Sequence, residues 1–426
     1  MENQFIYLNI LFKIKYLLFT LNNIIFTTMI KSYKYKLNPN ESQKTFFEKS
    51  FGCIRFVYNW ALSKRIEAYQ KNKERLSCVD LCKMLTSLKK EDDKTWLSEV
   101  SSECLQQSIR NMDSAFTRFF REKKGFPKFK SKKDNKKSYK AINSVSIDFD
   151  SNRIKLPKIG WVKFFKNRTF EGKIGTVTVS KTSTNKYYVS ILVDDDKELP
   201  QKPKIEYDTT VGIDVGIKDF AVLSNGQIFE NPKYLEKAEQ RLKVLQKRFS
   251  KKKKGSKRRE KARIKLSKAY EKVTNCRTNF IHQVTSKIVR ENQTIIIEDL
   301  NIEGMMKNRH LAKRISSASW NEFFRQLQYK CEWYGKNLLK IGRFEPSSKM
   351  CTCGYINNSL KLSDRKWVCP NCKQLNDRDL LAAINIKRFG LQNQNLLEIK
   401  SSLVEGVGDV EWSTLVGTVK RQYVSV

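Results

Sequence analysis

The stretch of sequence that decides the fold is VGIDVGIKDFAVLSNG, residues 211–226. Its first part, residues 211–214, is an apolar strand that ends in the carboxylate of Asp214. A second strand at residues 220–223 is followed by a Ser-Asn-Gly hairpin turn. The pattern predicts that a new domain begins near Thr210 with two paired strands.

Two more acids lie at comparable positions. Glu298 ends the buried-type strand TIIIE, and Asp379 leads into the helical pattern of residues 380–386. Hydrolysis of a phosphodiester bond with two metal ions needs hard oxygen ligands that hold the ions about 4 Å apart, and Mg²⁺ prefers oxygen. We therefore predict Asp214, Glu298 and Asp379 as the catalytic residues and as the ligands of two Mg²⁺ ions.

A purely structural role is the alternative for these acids, because acids are common at strand ends and Asp caps helices well. Asp377 competes with Asp379 for the third position, and capping could explain either residue. Asp379 is preferred because a residue at the mouth of the helix points at the neighbouring strand ends. Histidine-based chemistry is nearly excluded, since only His282 and His310 are present.

The cysteines predict a zinc site. Four of the ten, Cys351, Cys353, Cys369 and Cys372, form two pairs with 15 residues between them. Such pairs are typical of a zinc ribbon in which four thiolates hold a structural Zn²⁺. The first pair has one intervening residue instead of the usual two, and Met350 stands where a regular pair would begin. Four reduced thiols without metal are the alternative.

Net charge is the outlying bulk property of the chain. Its 426 residues include 83 Lys and Arg against 44 Asp and Glu, a formal net charge of +39. Nucleic acid is the predicted partner, because phosphate contacts need many basic side chains; an anionic membrane or an acidic protein is the alternative. Residues 247–265 hold twelve Lys or Arg and one acid, Glu260, so we expect phosphate to bind this segment.

Residues 1–29 form an apolar leader that differs from the rest of the chain. Lysines and asparagines interrupt it, so no apolar run is long enough to span a membrane, and no membrane partner is expected. A regular strand pattern begins just after Met29. We expect translation to start at Met29.

The rest of the chain predicts a β-rich domain, a helical segment and a loose tail. Residues 31–37 alternate as a strand, and residues 45–120 carry apolar positions at the spacing of three or four helices. Short strand-like segments between residues 144 and 193 predict a small barrel or sandwich. Residues 196–209 are polar and are predicted to be a linker, and the chain after Gly390 has only weak periodicity.

Several motifs, taken in order, resemble the TnpB family, the OrfB-type proteins of bacterial insertion sequences that are related to type V CRISPR nucleases. The matching stretches are KSYKYKLNPNESQ, GCIRFVYNWAL, LQQSIRNMDSAFTRFF, GFPKFKSKK, VGIDVGIKDFAVLSNG, ENQTIIIEDLNIEGM, SSASWNEFFRQLQYKCEWYG, EPSSK, CPNC and DRDLLAAINI. The resemblance runs from Ile30 to about Gly390. Two positions depart from the family pattern, since Leu381 stands where Asn is usual and Asn376 where His is common.

The resemblance implies an α+β multidomain fold. A β-barrel wedge domain with a helical recognition insert would precede an RNase H-like (RuvC) α/β domain with a zinc-ribbon insert. The implied ranges are 30–48 and 126–205 for the wedge, 49–125 for the helical insert, 206–346 and 374–390 for the nuclease, 347–373 for the ribbon and 391–426 for the tail.

The resemblance also implies the activity of an RNA-guided DNA endonuclease of a transposable element. A guide RNA and a target DNA would be its partners, with Asp214, Glu298 and Asp379 as Mg²⁺ ligands. The protein would act in the cytoplasm, at the nucleoid, as a monomer or weak dimer on nucleic acid. A catalytically inactive guided DNA-binding protein and a transposase that joins strands itself are the alternatives.

Overall fold

The computed structural model describes residues 28–134, 137–361, 363–394 and 422–424. The chain divides between Glu198 and Leu199 into two compact units. Residues 1–27 of the predicted leader and most of the predicted tail lie outside the described residues, and the last two leader residues begin the first strand. Among the described residues, no helix has the length and apolar character needed to cross a membrane.

The first unit contains one antiparallel sheet with the strand order β2-β6-β7-β1-β5-β4-β3. Its strands are β1 (Thr28–Leu37), β2 (Lys137–Ala141), β3 (Ser146–Asp148), β4 (Arg153–Leu156), β5 (Gly160–Phe165), β6 (Lys173–Lys181) and β7 (Tyr187–Glu198). Alternate residues of β4, β5 and β7 are buried, as one-sided packing on a core requires. The end strands β2 and β3 do not pair in the described chain, so a closed barrel stays a prediction.

Three α-helices and one 3₁₀ helix connect β1 to β2. They are α1 (Glu41–Asn72), α2 (Cys78–Leu88), the 3₁₀ helix Asp92–Glu99 and α3 (Ser102–Glu122). Asn40 caps α1 in a capping box with Gln43. The predicted apolar face of α1 is buried, whereas that of α3 is buried only as far as Met112. Strand β2 was not predicted from the sequence, because its buried residues Tyr139 and Ala141 adjoin a run of basic residues that obscures the strand pattern.

The second unit is built on a six-stranded mixed sheet with the order β12-β11-β8-β9-β10-β15. Its strands are β8 (Thr210–Val215), β9 (Asp219–Leu223), β10 (Gln227–Glu230), β11 (Thr294–Glu298), β12 (Asn337–Ile341) and β15 (Gln422–Tyr423). Its helices are α4 (Tyr234–Ser250), α5 (Lys257–Glu291), α6 (Ile302–Met305), α7 (Ala312–Ala318), α8 (Trp320–Trp333) and α9 (Arg378–Gln392). A small hairpin, β13 (Lys366–Val368) and β14 (Leu375–Asp377), precedes α9.

Both faces of this sheet are covered, which explains why β8 and β11 are apolar almost throughout. On one face, Val211 and Ile295 belong to a core with residues of α5 and α8. On the other face, Ile296 packs with Ile386 and Leu391 of α9. Strand β15 pairs with β10 in parallel. The tail that was predicted to be loose therefore contains at least one short strand.

Helix α9 approaches β8 so closely that there is no room for a side chain at Gly212. A Cβ placed on Gly212 would lie 2.2 Å from the carbonyl oxygen of Ala383 and 2.5 Å from the backbone nitrogen of Lys387. A Cβ on Gly390 would lie 2.5 Å from Cγ2 of Ile296. Glycine at these two positions lets the helix lie directly on the sheet, and this fixes where its first turn stands.

Candidate functional site

Asp214 and Glu298 lie side by side at one edge of the second sheet. Strands β8 and β11 are parallel neighbours with Ile213 opposite Ile297, so the next residue on each strand is a carboxylate. Side chains alternate between the faces of a strand. Since Gly212 and Ile296 face α9, Asp214 and Glu298 face the same side.

Helix α9 brings the third acid to this edge. Asp379 is in its first turn, and Asp377 is its N-cap, whose carboxylate accepts a hydrogen bond of 3.2 Å from the backbone N–H of Leu380. The cap explains Asp377 by local structure alone. Asp379 lies close enough to Asp214 for its negative charge to add to the burial that raises the pKa of Asp214.

The electrostatics show that the three carboxylates interact. Burial raises the pKa of Asp214 well above its ordinary value, the negative charges of Asp379 and Glu298 raise it further, and the Arg378 guanidinium opposes the rise. Burial also raises the pKa of Glu298, against a hydrogen bond from Ser347. A divalent cation would relieve the repulsion between these acids, and their oxygen donors fit Mg²⁺. The three carboxylates are not gathered as closely as the four cysteine thiols described below.

Three residues around the carboxylates were not predicted from the sequence. Ser347 donates a hydrogen bond of 2.7 Å from its Oγ to Oε1 of Glu298. Arg365, which precedes β13, pairs with Asp379 at 3.0 Å. Asn385 of α9 donates to the backbone carbonyls of Ser347 and Met350 at 2.7 and 2.6 Å. Ser347 and Asn385 lie within the quoted motifs EPSSK and DRDLLAAINI, whereas Arg365 lies in none of the quoted motifs.

The metal-free protein is expected to become more stable when Asp214 is replaced by Asn. Because the folded state holds the Asp214 proton more tightly than the unfolded chain, stability falls as the pH rises above the ordinary carboxyl pKa of about 4. The loss is complete above the raised folded-state pKa. We expect Asp214→Asn to flatten this decline and to raise the Tm at neutral pH without Mg²⁺.

Thermal melts across pH, with and without Mg²⁺, check this expectation. Glu303→Gln is the matched control, because it removes one negative charge from an exposed side chain. It should leave the pH profile unchanged. A profile for Asp214→Asn identical to that of the unmodified protein would contradict the electrostatic account.

The four predicted cysteine ligands come together in the segment before α9. The Sγ atoms of Cys351, Cys353, Cys369 and Cys372 all lie within 4.8 Å of one another, and they form the one such group of possible metal ligands in the described part of the chain. Burial raises the pKa of the Cys353 thiol, but hydrogen bonds led by the backbone N–H of Tyr355 outweigh it and lower the pKa to about 7. The geometry and the accessible thiolate fit Zn²⁺.

The shortened first pair is accommodated without the thioether of Met350. The backbone N–H of Cys351 donates to the carbonyl of Tyr355 at 2.8 Å, which turns the chain so that Cys351 faces Cys372 at 3.6 Å. Asn376 is buried and donates from Nδ2 to Sγ of Cys351 at 3.4 Å. Asn376, which stands where the family often has His, therefore holds Cys351 through this hydrogen bond.

Leu381, the other departure, links the cysteine cluster to the carboxylate edge. It is buried in a small core with Cys351, Cys369 and Trp367. Since Leu381 lies two residues after Asp379, the cysteine segment packs on the turn of α9 that carries this acid. Trp367 packs against the cluster and is buried, whereas Tyr355 is 40% exposed.

The basic segment at residues 247–265 divides its cations into two groups. Arg259 donates to the carbonyls of Phe249 and Lys252 at the end of α4, and Arg263 pairs with Glu260. The other ten Lys and Arg are exposed. They form a cationic surface at the connection between α4 and α5.

The sequence of this chain is similar to known families along most of its length. A family model described as "Probable transposase" matches residues 188–309, and one described as "Cas12f1-like, TNB domain" matches residues 320–386. A model described as "Helix-turn-helix domain" matches residues 29–74. In this chain that last range forms β1 and the single long helix α1.

Individual relatives match over similar lengths. A Streptomyces pristinaespiralis protein named as a candidate RNA-guided DNA endonuclease is 37% identical over 365 residues, covering 85% of this chain and 89% of the relative. InsQ of Escherichia coli K12, named in the same way, is 29% identical over 376 residues, covering 85% and 92%. A solved Cas12f1 complex with sgRNA and target DNA has a similar fold, with a TM-score of 0.51, 16% identity and coverage of 82% and 83%.

The fold and the site define a multidomain α/β protein of the Cas12f-like class, with a mixed sheet and a four-cysteine cluster. The extent of the sequence similarity identifies the family within that class. The chain belongs to the TnpB (OrfB) family.

Proposed function

We propose that this chain is an RNA-guided DNA endonuclease that hydrolyses phosphodiester bonds at Asp214, Glu298 and Asp379. The observation that carries the proposal is that two strands and one helix bring these acids together. Burial raises the pKa of Asp214, and the negative charges of Asp379 and Glu298 raise it further. The names of the relatives support guidance by RNA and action on DNA. The net charge of +39 supports a large nucleic-acid partner.

The three acids would hold two Mg²⁺ ions. When bound, the ions would supply a water nucleophile at neutral pH and stabilise the leaving oxygen. Asp214 and Glu298 stand on adjacent strands of a packed sheet, so their spacing is rigid. Ser347 orients Glu298 through its hydrogen bond, and Arg365 holds Asp379 in place from the side of the ribbon.

The finer domain assignments belong to the same proposal. The wedge barrel, residues 30–48 and 126–205, and the helical insert at residues 49–125 would make up the described first unit, and the wedge would extend a few residues past its end at Glu198. The second would be a RuvC-like nuclease with its zinc ribbon at residues 347–373. Parallel strands β12, β11 and β8 extended by antiparallel β9 and β10 support the RNase H-like assignment.

Guidance by RNA is tested with protein purified together with RNA from its own locus. We expect sequencing of the bound RNA to give a short transcript that covers the 3′ end of the gene. With Mg²⁺, the complex should cut a plasmid that matches the guide and spare one that does not. Binding without cleavage would favour the inactive guided DNA-binding protein, and strand transfer would favour a transposase; either outcome would overturn the proposal.

The cysteine cluster would hold one structural Zn²⁺, and Cys369→Ser is expected to release it. Because Cys369 packs with Leu381 near Asp379, loss of zinc should also loosen the first turn of α9. We expect destabilisation of at least about 2 kcal/mol, which corresponds to a fall in Tm of about 4–8 °C. Zinc content by elemental analysis and thermal melts measure both effects.

Cys276→Ser is the control for the zinc prediction. Cys276 lies in α5, outside the four-cysteine cluster, and is only partly buried. This variant should keep one Zn²⁺ per chain and an unchanged Tm. Purified protein that folds and cuts normally with no zinc bound would contradict the proposed role of the cluster.

A further inference from the structure

Phe344 is the most exposed large hydrophobic side chain in the described part of the protein. It lies three residues after the end of β12, and 94% of its surface is open to solvent. Single exposed apolar residues are common and need no explanation by themselves. The position of Phe344 is unusual, because residues before and after it in the same loop form hydrogen bonds with residues at the carboxylate edge.

Residues on each side of Phe344 bind the end of β11. The Nη2 atom of Arg343 lies 2.9 Å from Oδ2 of Asp299, and its Nε donates to the Asp299 carbonyl at 3.2 Å. Ser347 donates to Oε1 of Glu298 at 2.7 Å. Glu298 at the end of β11, a proposed metal ligand, and Asp299 directly after it therefore hold the loop on both sides of the exposed ring.

The loop is also braced within itself and against α9. The backbone N–H of Ser347 donates to the carbonyl of Glu345 at 2.8 Å, and Asn385 donates to the Ser347 carbonyl at 2.7 Å. Three residues of chain span at most about 11 Å. The ring of Phe344 is thus held within reach of the nucleotides that flank a phosphate bound at Glu298.

We propose that Phe344 is a positioning residue that stacks on an unpaired base of the DNA strand beside the phosphate to be cut. This inference rests on the proposed nuclease function and adds a residue that positions its substrate. Bases within a duplex are already stacked on both faces, whereas an unpaired base offers a free face to an aromatic ring. Stacking of this kind tolerates any base, which suits a strand whose sequence differs from target to target.

Fluorescence of 2-aminopurine tests the contact without any cleavage. The RNA-loaded protein, without added Mg²⁺, is mixed with target DNA that carries 2-aminopurine at one position near the cut site in the unpaired strand. Stacking quenches this base, so we expect quenching at one or two adjacent positions. Phe344→Ala should abolish the quenching there, and Phe344→Tyr, which keeps an aromatic ring, should preserve it.

Tyr334→Ala is the matched control for removal of an exposed ring. Tyr334 is 62% exposed and precedes β12, whereas Phe344 follows it, so the two rings flank opposite ends of the strand. This variant should quench the 2-aminopurine fluorescence as strongly as the unmodified protein does. Equal quenching by the unmodified protein and by Phe344→Ala at every position would overturn the inference.

Cleavage of DNA with a single abasic site gives a second, independent measurement. In the unmodified protein, an abasic site at the stacked position should slow single-turnover cleavage about tenfold. In Phe344→Ala the same site should have no further effect, because the partner ring is already absent. A penalty that is the same in both proteins would contradict stacking.

The two measurements separate this inference from the proposed function. Quenching that depends on Phe344 in a protein that never cuts DNA would support the inference and reject the nuclease activity. Guided cleavage that is unaffected by Phe344→Ala, with unchanged quenching, would support the nuclease activity and reject the inference.

Discussion

Replacing Asp214 by Asn is expected to slow cleavage of a guide-matched DNA at least about 10³-fold, the scale of loss seen when one member of a catalytic unit is removed. The reason is that Asp214 lies near both other acids, so Asn removes a negative charge on which binding of the two proposed Mg²⁺ ions depends. Binding of guide RNA should be unchanged, because the substitution is nearly isosteric and removes an electrostatic penalty. Single-turnover cleavage and RNA binding measure the two effects.

The choice between Asp377 and Asp379 provides the internal control for this prediction. Asn caps helices about as well as Asp, so Asp377→Asn should keep the cap on α9 and cut within a few-fold of the unmodified rate. Asp379→Asn should lose activity as Asp214→Asn does. Retained cleavage in Asp379→Asn together with loss in Asp377→Asn would show that the third ligand is assigned to the wrong acid.

Replacing Gly212 by Ala is expected to destabilise the second unit by about 2–4 kcal/mol. The new Cβ would lie 2.2 Å from the Ala383 carbonyl oxygen and 2.5 Å from the Lys387 nitrogen. Both are backbone atoms of α9, so the whole helix must move away from β8. Because α9 carries Asp379, cleavage should fall at temperatures where the protein is still folded.

Gly52→Ala is the control that separates this close approach from the general effect of losing a glycine. Gly52 lies within α1 of the first unit, and an added Cβ there would meet nothing within 4 Å. This variant should be as stable as the unmodified protein or more stable by up to about 1 kcal/mol. Thermal melts of both variants make the comparison; a Gly212→Ala protein of unchanged Tm and activity would contradict the packing of α9 on β8.

Much of the second unit could be predicted because its strands carry local signals. Strands β8 and β11 are apolar runs that end in acids, and parallel pairing of such strands puts their last residues together. The third acid was ambiguous because Asp377 and Asp379 both lie at a helix start. The hydrogen bond from the backbone N–H of Leu380 shows that Asp377 caps the helix, which supports Asp379 as the proposed ligand.

The residues that sequence reading missed depend on contacts between distant segments. Arg365 reaches Asp379 only because β13 pairs with β14 directly before α9. Phe344 is one aromatic residue between Arg343 and Glu345, with nothing in its neighbours to distinguish it from a core residue. The strand β2 was hidden because lysines interrupt its alternation, although Tyr139 and Ala141 still face the core.

An experimental structure with Mn²⁺ in place of Mg²⁺ tests the central claim most directly. The anomalous signal of manganese should give two peaks between the carboxylates of Asp214, Glu298 and Asp379, and Asp214→Asn should remove both. Manganese bound elsewhere, with these three side chains free of metal, would contradict the assignment of this edge as the site of DNA cleavage.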